Sequence, residues 1–187
     1  RADAGDGRLI RRARAMLQPK HELPDVPAVP APWTLRGNAW IVLLRLPARS
    51  PARRAFVPSV LQGTLAAPCS ALMFVDYLEA PCGAYRELLF VPGAMRFPDG
   101  RRHASISRIL VSTWQSVVNG RANWGIPKDR ADFTVARDGR IDRLTLADRG
   151  REFARLEFEA ARGPRLPLKT SWLPASWTTL AQLHDDK

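Results

Sequence analysis

The chain has 187 residues, of which 45% are hydrophobic and 25% charged, and its formal net charge is +11. That length suits one domain, or one with a small appendage, and the apolar share is enough for a packed core, which excludes disorder beyond the ends. No run approaches the ~20 apolar residues of a membrane-spanning helix, and the first residues lack a signal-peptide pattern, so a cytoplasmic protein with no membrane partner is expected.

In chain order, residues 1–31 read as a peripheral strap. A basic amphipathic piece from Leu9 to Leu17 leads into Pro19, Pro24, Pro27 and Pro30, a density that forbids a regular helix or central strand. Residues 32–187 read as a single domain. Asn38–Leu46 is rich in β-branched and aromatic residues and predicts a buried strand. Ser50-Pro51 is a helix-start signal for a short helix to about Leu61. Ala71–Glu79 and Tyr85–Val91 predict a hairpin across the turn residues Ala80–Ala84. His103–Val111 predicts one further strand.

Ser112 and Gln115 fit a capping box for a helix that Gly125 and Pro127 would end. Strands over 131–136, 140–147 and 151–160 follow, with Asp138-Gly139 and Arg149-Gly150 as hairpin turns. From Gly163 an extended segment and a short helix are expected. Short strands, tight turns and brief helices point to a mainly β, antiparallel barrel or sandwich.

Charge needs separate treatment. Of the 29 basic residues 25 are arginine, spread along the chain and interleaved with acids; only Arg8–Arg14 forms a cluster. A solvated arginine-rich surface accounts for this, and no nucleic-acid partner is expected. Cys69 and Cys82, with His21, His103 and His184, have no metal-ligand spacing, so no metal is expected. With four lysines in all, one inside an apolar, turn-rich segment stands out, and that one is Lys128.

The segment is Val118-Asn-Gly-Arg-Ala-Asn-Trp-Gly-Ile-Pro-Lys128. It resembles the helix-then-lysine motif of the acetoacetate decarboxylase-like superfamily, closest to the Asn-Gly-Arg-x-Asn-Trp-x-Ile-Pro-Lys form of bacterial and fungal relatives. Gly83-Ala-Tyr-Arg-Glu87 resembles the Gly-x-Tyr-x-Glu strand of the same family. The resemblance spans roughly residues 32–160 and implies a cone-like antiparallel β-barrel, a homo-oligomer, and a Schiff-base lyase acting on a small keto acid with no added cofactor. It places Lys128 as the nucleophile and Glu87 as the proton shuttle that orients it.

An amine attacks a carbonyl only when unprotonated, and desolvation or a nearby cation favours that form. Acetoacetate decarboxylase is itself the standard example of a lysine activated in this way, so the activation of Lys128 is implied by the resemblance. Candidate substrate contacts are Arg121, which suits bidentate carboxylate binding, Tyr85, Trp124 and Arg86. Glu87 and Arg86 are neighbours on one strand, so one of the two faces the interior.

The sequence departs from the decarboxylase pattern twice. Asp129 stands where the classical enzyme has a second lysine, and alternation turns it away from Lys128. The family's N-terminal arginine has no counterpart, Pro30–Trp33 occupying the region with Arg36 nearby. Another keto acid than acetoacetate, and aldol or dehydration chemistry, fit at least as well. The alternative is a non-catalytic barrel that binds a small carboxylate or apolar ligand.

Overall fold

The computed structural model describes residues 23–47, 50–65, 69–160, 169–172 and 180–183. The basic piece expected over Leu9–Leu17 lies outside them, as does most of the segment from Gly163. In chain order the strands are β1 (Arg36–Arg45), β2 (Cys69–Glu79), β3 (Tyr85–Val91), β4 (Ala94–Arg96), β5 (Arg102–Ala104), β6 (Arg108–Val111), β7 (Lys128–Arg130), β8 (Asp132–Asp138), β9 (Ile141–Asp148) and β10 (Arg151–Glu159). The helices are α1 (Pro51–Arg54) and α2 (Trp114–Trp124), with single 3-10 turns at Ser59–Leu61 and Thr170–Trp172. No helix among the described residues is long and apolar enough to cross a membrane.

The main sheet has the order β1-β2-β3-β6-β7, antiparallel except for the parallel pair β6 and β7. A second sheet runs β10-β9-β8, and β4 pairs with β5 alone. The fold is mainly β, as expected, but the described strands form three sheets and do not close into the expected barrel. β7 ends after three residues, and Ala131 carries the chain straight into β8 of the second sheet. The chain changes sheets at that corner, so the main sheet gains no further strand to curl round upon itself.

The expected hairpin of β2 and β3 is present, with Asp76 opposite Arg86 and Val75 opposite Glu87. Gly83 closes its turn at φ 88°, donating its N–H to the Ala80 carbonyl at 2.9 Å. The single strand expected over 103–111 is two strands in different sheets, separated by Ser105–Ser107. Apolar alternation marks residues that are buried, and cannot tell which sheet buries them. The helix expected from Ser50 to Leu61 is one turn, because Ala55 is extended and Phe56 has φ 61°. The short strands β4 and β7 escaped the sequence reading.

Alternation along the strands separates two cores. Phe74, Leu110, Leu144, Leu146 and Phe158 pack the two larger sheets together. On the opposite face of the main sheet, Tyr85, Leu89, Ile109 and Val111 meet Val117 of α2, with Leu23 and Ile126 alongside. Burying such side chains contributes about 1.5–3 kcal/mol each. α2 is thus pressed onto the β6–β7 end of the main sheet.

Candidate active site

β7 runs parallel to β6 with Lys128 beside Ile109 and Asp129 beside Leu110. Since Ile109 faces α2 and Leu110 faces the second sheet, the pleat sends Lys128 to the helix side and Asp129 to the other. The same rule puts Tyr85 and Glu87 of β3 on the helix side and Arg86 on the reverse. α2 begins at Thr113, whose side chain caps the Ser116 N–H at 3.3 Å. The expected cap, Ser112, instead accepts from the Arg86 N–H at 2.8 Å. Gly125 ends the helix as expected, in the left-handed region at φ 63° with its N–H on the Arg121 carbonyl.

The Lys128 amine is held by Glu87 Oε2 at 2.9 Å, Ser116 Oγ at 3.0 Å and the Tyr85 hydroxyl at 3.5 Å. An ammonium has three N–H donors, and each finds one acceptor. Lys128 is 3% exposed, Glu87 4% and Ser116 0%, so the ion pair lies out of water. An unpaired charge there would be strongly unfavourable, and the pair survives burial through its geometry and its added hydroxyl contacts. The amine also stands 5.0 Å from the Tyr85 ring centroid, where the π-face favours a cation.

Tyr77, opposite Tyr85 across the hairpin, packs its ring 4.7 Å from that of Tyr85 and donates to Glu87 Oε1 at 3.5 Å. Burial first, and then the charge of Glu87, push ionisation of both phenols far above the usual range. Both therefore stay O–H donors. Cys82 packs against the same cluster from the hairpin turn; burial raises its thiol pKa while the positive charge of Lys128 pulls it down.

The remaining motif residues divide the work of placing this amine. Gly120 gives it room: a Cβ there would lie 2.7 Å from Lys128 Cδ and 2.8 Å from Cε. Arg121 braces the backbone from behind, its Nε donating to the Lys128 carbonyl and its Nη2 to Asp129 Oδ1, both at 2.8 Å. Arg108 holds the other Asp129 oxygen. Burial lowers the Arg121 pKa, and the Asp129 charge opposes that shift.

Asn119 and Asn123 clasp the proline-rich strap. Asn119 Oδ1 accepts from the Val29 N–H at 2.7 Å and its Nδ2 donates to the Pro27 and Gln115 carbonyls. Asn123 donates to the Val29 carbonyl at 2.8 Å, and Trp33 Nε1 donates to the same oxygen. Trp124 meets Trp33 edge-on with centroids 4.8 Å apart.

Of the residues expected to form a site, Lys128, Glu87 and Tyr85 come together at one point. Arg121, Trp124 and Arg86 do not face the amine. Arg86 lies on the reverse of β3 and binds Asp76, which Arg137 also holds. Arg121 sits behind the Lys128 backbone, and Trp124 packs on the strap. Arg36, near the place of the missing arginine, pairs with Glu79 at the exposed end of the main sheet. Ser116, Tyr77 and Asn119 were missed by the sequence reading. Ser116 and Gly120 are small residues four apart, hence on one helix face, and that spacing was the available signal. No cluster of three or more metal-ligating side chains occurs among the described residues.

A β-rich protein that buries a lysine against a glutamate, with a helix laid over both, is the class that these elements define. The sequence profile of acetoacetate decarboxylase (ADC) matches residues 25–182, and the chain belongs to that family. No curated protein matches it. Among solved structures it is similar to acetoacetate decarboxylase from Legionella pneumophila, at 18% identity and TM-score 0.58 over 84% of this chain and 60% of that one. It is also similar to the enduracididine biosynthesis enzyme MppR complexed with pyruvate, at 21% identity and TM-score 0.56 over 75% of this chain and 61% of that one. The same enzyme complexed with the condensation product of pyruvate and imidazole 4-carboxaldehyde matches at 20% identity and TM-score 0.56, over 75% of this chain and 60% of that one. The chain therefore spans about 60% of the length of the structures it resembles, and likeness at these identities speaks to the fold alone.

Proposed function

We propose that this chain forms an imine through Lys128 with a small keto acid, and that it is a lyase of decarboxylating, aldol or dehydrating type. The observation that carries this reading is the buried contact of 2.9 Å between Lys128 Nζ and Glu87 Oε2. Family membership supports it, and so does the pyruvate bound by MppR.

Glu87 takes a proton from the ammonium along that hydrogen bond, leaving a neutral amine whose lone pair attacks the keto carbon. The adduct's hydroxyl leaves as water with the proton stored on Glu87. The product is a protonated imine beside a Glu87 carboxylate, with charge conserved. That imine withdraws the electrons released when a carboxylate or a proton leaves the adjacent carbon, so the chemistry asks for no added cofactor. Where a proton leaves, the Glu87 carboxylate takes it up and can return it to carbon; where CO2 leaves, the new C–H bond takes a proton from water by way of Glu87. Tyr85, kept protonated, donates a hydrogen bond to the developing oxygen charge, while Tyr77 keeps its O–H on Glu87 Oε1. Asp129 does not oppose this chemistry, because it faces the second sheet and two arginines neutralise it.

Borohydride trapping with a panel of keto acids, pyruvate and acetoacetate included, tests the reading by intact mass and peptide mapping. The expected result is a reduced adduct on Lys128 that disappears in Lys128→Arg. If no keto acid labels Lys128 at neutral or alkaline pH, the pair is structural and the protein is a binding member of the family.

A further inference from the structure

Ser116 is the third partner of the amine, and the mechanism above gives it no task. Its side chain is fully buried, and its hydroxyl lies 3.0 Å from Lys128 Nζ. It comes from the helix rather than from the sheet that carries the lysine and glutamate, so it faces the amine from a different side.

Imine formation contains a step that neither Glu87 nor Lys128 performs well alone. Attack of the amine on a carbonyl first gives a zwitterion, with a positive nitrogen and a negative oxygen on the same carbon. The proton must move from nitrogen to oxygen. Direct transfer closes a strained four-membered ring, whereas one hydroxyl placed between the two atoms makes the ring six-membered. At this stage Glu87 is a protonated carboxyl whose proton is reserved for the departing water, whereas the Ser116 hydroxyl can accept and donate at once with no net change.

From this we propose that Ser116 is a catalytic residue that relays the proton from the nitrogen to the oxygen of the tetrahedral adduct. This inference rests on the imine reading. The N–H bond breaks as a Ser116 O–H bond forms, and the original Ser116 O–H bond breaks as the adduct's O–H forms. Serine ends as it began, and the adduct becomes the neutral carbinolamine that Glu87 then dehydrates. Gly120, one helical turn further on, lets the lysine lie flat against α2 so that its tip reaches this hydroxyl.

The test is the rate at which the borohydride-trapped Lys128 adduct accumulates with pyruvate in the full chain, in H2O and D2O, for wild type, Ser116→Ala and Ser116→Cys. A positioned proton relay contributes about 10²–10⁴-fold, so Ser116→Ala is expected to slow trapping by about 100-fold or more while the final yield is kept. The wild-type solvent isotope effect should shrink in the variant. Ser116→Cys, nearly the same size and still protic, keeps the packing if alanine does not, and should fall between the two rates.

A Ser116→Ala protein that traps at the wild-type rate with the wild-type isotope effect overturns the relay and leaves the imine reading intact. A variant whose yield and melting temperature fall while its rate and isotope effect stand shows a packing role, which also overturns it. A wild type that traps nothing removes the imine reading, and the relay with it.

Discussion

Gly120 is the position where the smallest change should cost the most chemistry. In Gly120→Ala the new methyl would stand 2.7 Å and 2.8 Å from Lys128 Cδ and Cε, and 3.4 Å from Nζ. Carbon atoms prefer about 3.5–4.0 Å, so the lysine chain must retreat by roughly 0.7–1.3 Å at those atoms. It has little freedom to do so, being buried and tied at its tip to Glu87, Ser116 and Tyr85. Overpacking of this kind costs about 1–3 kcal/mol. Alanine returns about 1 kcal/mol through better helix propensity. The net loss of stability is therefore small, about 0–2 kcal/mol.

Function should suffer more. A displacement of about 1 Å at a reacting group is associated with roughly 100-fold lower rate. The assay pairs urea denaturation with the rate of borohydride-trapped adduct at Lys128. A near-normal midpoint with trapping reduced by about two orders of magnitude is expected. A Gly120→Ala protein that traps as fast as wild type refutes the argument that this glycine exists to seat the lysine.

Three further predictions rest on the same geometry. Glu87→Gln leaves the buried ammonium without its counter-charge, which should destabilise the fold by about 3–5 kcal/mol in urea denaturation; adding Lys128→Met should recover most of the loss. Asn119→Ala removes the helix's grip on the strap at Pro27 and Val29 and leaves the half-buried Val29 N–H without its acceptor, at about 1 kcal/mol; faster hydrogen exchange at Val29, beyond that of the main sheet, is the readout. The two tyrosines of the chain are both raised from their ordinary 10.0. Absorbance at the tyrosinate band should thus stay flat in the native protein while the urea-unfolded chain titrates near pH 10. Because the folded values are raised, their stabilising effect is complete below pH 10 and falls as the pH climbs above it; a native titration near 10 would contradict the burial of Tyr77 and Tyr85.

Much of the fold was legible because it depends on local pattern. Alternation and composition gave β1 to β3 and β8 to β10 to within a few residues, though β1, expected to be buried, is an exposed edge strand, and Gly83, Gly125 and Gly139 punctuated turns that need positive φ. The likeness of two short motifs, on β3 and across α2 to β7, joined Glu87, Tyr85 and Lys128 on the strength of sequence alone. What failed was non-local. The run 103–111 reads as one alternating strand, yet it serves two sheets, and β7 is too short to show a period.

By itself the sequence determined the β-rich class, the family and the lysine, since propensity, turn chemistry and motif spacing are properties of neighbouring residues. Only the tertiary structure decided which of its neighbours that lysine keeps. Arg121, a carboxylate clamp by chemistry alone, became a brace because Asp129 and the Lys128 carbonyl reach it first. Ser116, unremarkable on a helix, became the amine's partner because α2 packs over β6 and β7, where Lys128 begins β7. Which side chains meet depends on how elements far apart in the chain pack together. Burial acts on that arrangement, and there a single hydroxyl or a missing methyl sets what an amine can do.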